Sequence, residues 1–99
     1  MTVRVSATPE FRTWIDSLKD LAGRARIQVR IDRLVHGNPG QSRKLTNGVA
    51  ELKIDVVPGY RVYYTQRGKA VLLLLVGGDK SSQSKDIAKA IKLAKEFQE

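Results

Sequence analysis

The spacing of the apolar residues changes once along this chain, and that change limits the fold more than any other feature. Up to about His36 they recur at helical spacing; from Gln41 onward they alternate with a period of two. A chain of this pattern buries both halves only by laying helices on a sheet.

The first half divides further. Val3 and Val5 alternate with Arg4 and Ser6, which reads as a short strand with one buried face. Thr8 or Ser6 then caps a helix, with Pro9 in the first turn, where its missing N–H costs nothing, and Glu10 at the positive end of the dipole. Phe11, Trp14, Ile15 and Leu18 form its apolar stripe, a core feature rather than a platform for stacking bases. A second helix is predicted from about Asp20 to His36, with Leu21, Ala25, Ile27, Ile31, Leu34 and Val35 toward the core. Arg26, Arg30 and Arg33 recur on another side as a solvated basic stripe, and Gly37-Asn38-Pro39-Gly40 stops the helix. His36, beside that stop, reads as a capping residue.

In the second half Val49 to Val56 alternate in polarity, Pro58-Gly59 turns the chain, and Tyr60 to Thr65 form a β-prone run. Arg67-Gly68-Lys69 turns it again into Val71 to Val76, whose uniform apolarity implies a strand covered on much of both faces. Ile87, Ala90, Ile91, Ala94 and Phe97 return to helical spacing beside a stripe of Lys85, Lys89 and Lys92. The expectation is one α+β domain over residues 1–99, of two layers, in the order β-α-α-β-β-β-α, with a longer loop from about Gly37 to Asn47.

Composition removes several function classes. The 99 residues include no cysteine and one histidine, so disulfide scaffolds, thiolate metal sites, cysteine nucleophiles and a paired-histidine ribonuclease site are all excluded. Neither a metal-ligand cluster, a glycosidase-type carboxylate pair nor a Ser/His/Asp constellation is visible, and no cofactor is called for. The longest apolar run is far short of the ~20 residues of a membrane span, so the chain reads as soluble and cytoplasmic, without a membrane partner. Its 18 Lys and Arg against 10 Asp and Glu give a formal net charge of +8, a field that favours encounter with polyanions such as nucleic acid.

Strand parity locates a candidate site. With Leu52, Ile54 and Val56 facing the core, Glu51, Lys53 and Asp55 face away. With Val62 and Tyr64 inward, Arg61, Tyr63 and Thr65 face outward. Lys53 and Arg61 then share an open sheet face with Tyr63, a surface suited to phosphate, since Arg grips two oxygens at once. Gly77-Gly78-Asp79-Lys80-Ser81-Ser82 follows the last strand; its glycines read as a chain reversal, and Asp79, Ser81 or Ser82 as a helix cap. Lys80 is placed to reach the same face as Arg61.

The segments Arg24-Ala25-Arg26-Ile27, Gly48-Val49-Ala50-Glu51-Leu52-Lys53, Pro58-Gly59-Tyr60-Arg61-Val62-Tyr63-Tyr64 and Gly77-Gly78-Asp79-Lys80-Ser81-Ser82-Gln83 together resemble the HigB-type, phage-related addiction-module killer proteins of the RelE/ParE toxin superfamily. The similarity extends over nearly the whole chain. It implies a helix pair on a small curved antiparallel sheet. It also implies a type II toxin: a ribosome-dependent endoribonuclease that cuts mRNA in the A site and is neutralised by a cognate antitoxin. Such antitoxins usually carry a helix-turn-helix domain, so operator DNA is met only through the complex. The implied cut is metal-free, by attack of a ribose 2′-oxygen on the adjacent phosphate. Carried over, Lys53, Arg61 and Lys80 are the candidate catalytic residues, with Lys53 or Lys80 as proton acceptor, and Arg43, Lys44, Tyr63 and Asp79 are the candidate RNA contacts. The chain departs from the RelE pattern at Ser84-Lys85-Asp86-Ile87, which offers no tyrosine to stack on a base, and it lacks the histidines of some HigB relatives. A ParE-like gyrase poison without nuclease activity, or an inactive antitoxin-binding module, remain the alternatives.

Overall fold

Thr8 ends the first strand and starts the first helix. Its N–H donates to the Leu74 carbonyl at 3.0 Å, its hydroxyl donates to the Leu75 carbonyl at 2.6 Å, and the same oxygen accepts from the Phe11 N–H at 3.0 Å. The computed structural model describes residues 4–68 and 71–97. Strand β1 (Arg4–Ala7) leads to helix α1 (Pro9–Ser17) and helix α2 (Leu21–Val35). Strands β2 (Ser42–Lys44), β3 (Val49–Ile54), β4 (Tyr60–Arg67) and β5 (Val71–Gly78) follow, then a short 3-10 turn (Lys80–Ser82) and helix α3 (Gln83–Glu96). The five strands form one sheet in the order β1-β5-β4-β3-β2. The α+β class and the helix pair packed on the sheet are as the sequence predicts. Asp20 and His36 cap α2 at the predicted ends, the Asp20 carboxylate accepting from the Gly23 N–H at 3.0 Å.

Several features depart from the sequence reading. β1 joins the sheet parallel to β5, and within it Val5 is 39% exposed, so this strand has no clean buried face; Val3 and Lys69 lie outside the described residues. The segment expected as a loop contains β2, which pairs antiparallel with β3. In α2, Leu21 and Ala25 face solvent, Leu21 at 71% exposure. The outer sheet face is not open. Helices α1 and α2 bury Phe11, Ile15, Ile27 and Leu34 against Leu52, Ile54, Val62, Tyr64, Leu72 and Leu74, while α3 lays Ala90 and Ala94 over Val49, Tyr63, Leu73, Leu75 and Val76.

A shift in the β4–β5 pairing, from Tyr63 opposite Val76 to Tyr64 opposite Leu74, lets Leu75 and Val76 both serve the α3 side. That and the two covered faces account for the uniform apolarity of β5. Gly77 and Gly78, read as a reversal, lie inside β5. A Cβ at Gly77 would meet the Trp14 ring at 2.1 Å, and one at Gly78 the Asp86 carboxylate at 1.9 Å. The missing side chains admit α1 on one face and α3 on the other. Among the described residues no helix is long and apolar enough to cross a membrane.

Candidate active site

Register builds the site from the strands upward. On β3 and β4, Lys53 stands directly opposite Arg61 and Glu51 opposite Tyr63; Arg43 of β2 stands opposite Glu51. Partners across an antiparallel ladder share a face, so Arg43, Glu51, Lys53, Arg61 and Tyr63 all point toward the α3 side. There, at the N-terminal end of α3, lies a cleft of about 400 Å³ lined by Gln41, Ser42, Arg43, Glu51, Lys53, Arg61 and Gln83. Three cationic side chains face one carboxylate across this small volume.

That carboxylate is an organiser. Glu51 is 3% exposed; one oxygen accepts from the Arg43 Nε at 2.8 Å and the other from the Gln83 amide at 2.9 Å. Burial works against its charge, but the hydrogen bonds from Arg43 and Gln83 and the nearby Arg43 and Arg61 charges outweigh it and hold the carboxyl below its usual range. A carboxyl more acidic in the folded than in the unfolded chain stabilises the fold fully above the unfolded value, about 4.3. That contribution is lost as the pH falls through the folded value. Glu51→Gln is therefore expected to lower Tm at pH 7 and to narrow its gap from the wild type at pH 3, as thermal unfolding at the two pH values will show.

Arg61 is 7% exposed. One terminal nitrogen donates to the Gly59 carbonyl at 2.7 Å, and its Nε is buried without a partner among the described residues. The buried, unpartnered Nε is a cost to the fold, while the side chain as a whole brings a fixed positive charge to the lining of the cleft, a group suited to an anion. Lys53, opposite it, is exposed. Among the described residues no group of three or more His, Cys, Asp and Glu side chains gathers that could hold a metal ion.

No protein-family model matches this sequence. An uncharacterized protein of Haemophilus influenzae is 44% identical over 97 residues, covering 98% of each chain. The chain belongs to that protein's family. Among solved structures, that of a mutant E. coli toxin RelE in the free state matches with a TM-score of 0.76, over 94% of this chain and 98% of that one, at 17% identity. The likeness is one of fold: this chain has a RelE-type architecture.

On that RelE-type framework the candidate residues separate. Lys53, Arg61 and Arg43 meet in the cleft. Lys80 is exposed, in the 3-10 turn, and is not among the residues that line the cleft; its Cβ lies 3.7 Å from where a Gly59 side chain would begin. Lys44 pairs with Ala50 and so points to the opposite sheet face from Lys53. Tyr63 is wholly buried under α3, so its ring is no surface for a base; burial first, then the Glu51 and Asp86 charges, push its hydroxyl far above the usual phenol range. Asp79 acts as a cap, accepting from the Ser81 N–H at 2.8 Å. His36 caps α2 as expected. Glu51 and Gln83 were visible only as an outward strand residue and as part of the last loop motif; nothing in their spacing marks a shared hydrogen bond.

Proposed function

We propose that this chain is the toxin of a toxin–antitoxin pair, a HigB-type endoribonuclease that cuts mRNA in the ribosomal A site. The observation that carries the reading is the Lys53–Arg61 pair, held opposite one another across β3 and β4 in a cationic cleft. The RelE-type fold and the motif resemblance support the same assignment.

The chemistry follows from those groups. A ribose 2′-oxygen attacks the adjacent phosphorus; the O2′–P bond forms as the P–O5′ bond breaks, leaving a 2′,3′-cyclic phosphate and a 5′-hydroxyl. Charge gathering on the phosphoryl oxygens is met by Arg61, whose position is already set by the Gly59 carbonyl. Lys53, exposed on the same face, takes the 2′ proton through the lone pair of its neutral amine form, and water reprotonates the leaving oxygen. Arg43, oriented by Glu51, holds the strand at the cleft wall, and Lys80 flanks the approach near Gly59. A cognate antitoxin, a helix-turn-helix protein through which operator DNA is bound, neutralises the toxin in the cytoplasm.

Inducing the wild type and Lys53→Ala separately, without an antitoxin gene, while mapping mRNA 5′ ends and growth, tests the reading. New ends inside translated codons and arrested growth are expected with the wild type and not with the variant. Arrested growth with intact mRNA would contradict it and point to another target such as gyrase.

A further inference from the structure

The basic stripe of α2 contains one arginine that is not simply solvated. The Arg30 guanidinium donates to three backbone carbonyls: Lys53 at 2.7 Å, Pro39 at 3.0 Å and Gln41 at 3.1 Å. Its place in the ladder explains why. The edge strand β2 ends its pairing where Ser42 faces Leu52, so beyond that rung β3 has no strand beside it. The Lys53 N–H finds the Gln41 carbonyl at 2.9 Å, and Arg30 supplies the Lys53 carbonyl with the donor that a longer β2 would have provided. Both backbone groups of Lys53 thus end in one hub, whose other members lead directly into Arg43. The approach is close enough that a Cβ on Gly40, at φ +62°, would lie 3.0 Å from the guanidinium.

From this we infer that Arg30 is a positioning residue: it ties α2 to the backbone of Lys53 and to the Pro39–Gln41 segment, and so sets the separation of the Lys53 and Arg43 walls of the cleft. The inference rests on the nuclease reading of that cleft. Arg30 touches no substrate in this role. A guanidinium is suited because two terminal nitrogens fixed in one plane reach the Lys53 carbonyl from one and the Pro39 and Gln41 carbonyls from the other, whereas an ammonium has a single nitrogen.

The test compares Arg30→Met, Arg30→Lys and, as a charge-matched control on the same helix, Arg24→Met, whose arginine pairs with Asp16 at 3.0 Å away from the cleft. Cleavage on programmed ribosomes is read as rate at saturation and as affinity separately, and Lys53 amide hydrogen exchange is read by NMR. Arg30→Met is expected to lower the saturated rate about tenfold or more with ribosome affinity unchanged, since small misplacements of a reacting group are costly. It is also expected to speed Lys53 amide exchange about tenfold or more. Arg30→Lys recovers part of both, and Arg24→Met changes neither. Wild-type rate and exchange in folded Arg30→Met, or a loss confined to affinity, would overturn the inference. A wild type that cuts nothing, together with accelerated Lys53 exchange in the variant, would sink the nuclease reading while leaving the tie between Arg30 and Lys53 standing. Should Arg30→Met not fold, Arg30→Lys decides: unchanged rate and exchange there would also overturn it.

Discussion

Arg61→Met is expected to lose mRNA cleavage by a factor on the order of 10²–10³, about 3–4 kcal/mol of transition-state stabilisation, while keeping Tm within a few degrees of the wild type or raising it. The two halves of this result have different causes. Activity falls because the substitution removes a fixed positive group at the phosphate position. Stability changes little because the favourable charge of the guanidinium toward Glu51 is set against its own burial with an Nε that has no partner among the described residues. Methionine fills the same channel without a charge to desolvate, which offsets the lost bond to the Gly59 carbonyl, worth about 1 kcal/mol. Rate measurement and thermal unfolding on the same preparation check both halves. A variant that unfolds early would mean that Arg61 is there for the fold.

Gly77→Val has the largest expected effect on the fold itself. The new Cβ would stand 2.1 Å from the Trp14 ring, and that ring is held in place, 5.8 Å from Phe11 and 6.2 Å from Tyr60 between ring centroids. Trp14 is half-buried, so the indole must swing outward and give up its packing on Phe11 and Tyr60, or α1 must lift from β5. A loss of about 3 kcal/mol is expected, or roughly 15 °C in Tm for a domain of this size. Thermal unfolding of Gly77→Ala, Trp14→Leu and the double variant checks the mechanism: the two substitutions should be strongly coupled, the alanine being far better tolerated once the indole is gone. Additive losses would mean that the glycine matters for some reason other than the tryptophan.

Both predictions lean on features that the sequence reveals unequally. The Thr8 cap, the ends of α2 at Asp20 and His36 and the shared face of Lys53 and Arg61 are local matters, written in capping chemistry or in a two-residue period, and they are legible. The strand β2 is three residues long, too short for periodicity to register. The parallel pairing of β1 with β5 joins residues more than sixty positions apart, which no local pattern encodes. The same limit hid α3 from the face of Tyr63: parity says that a side chain leaves one face of a sheet, not what waits on the other side. Arg30 and Gly77 show the remaining gap. Helical spacing places Arg30 on a polar stripe, but the end of its long side chain reaches around the sheet edge to three carbonyls. A Gly-Gly pair reads as a turn until the tryptophan that needs the space is known.

Purified protein incubated with a defined mRNA, free or held on ribosomes with the A site vacant, followed by 5′-end mapping, tests the central claim most directly. Cuts confined to the A-site codon of ribosome-held message, with 5′-hydroxyl ends, and absent with Lys53→Ala, are expected. Intact message on the ribosome with active wild-type protein, or equal cutting by Lys53→Ala, would contradict it.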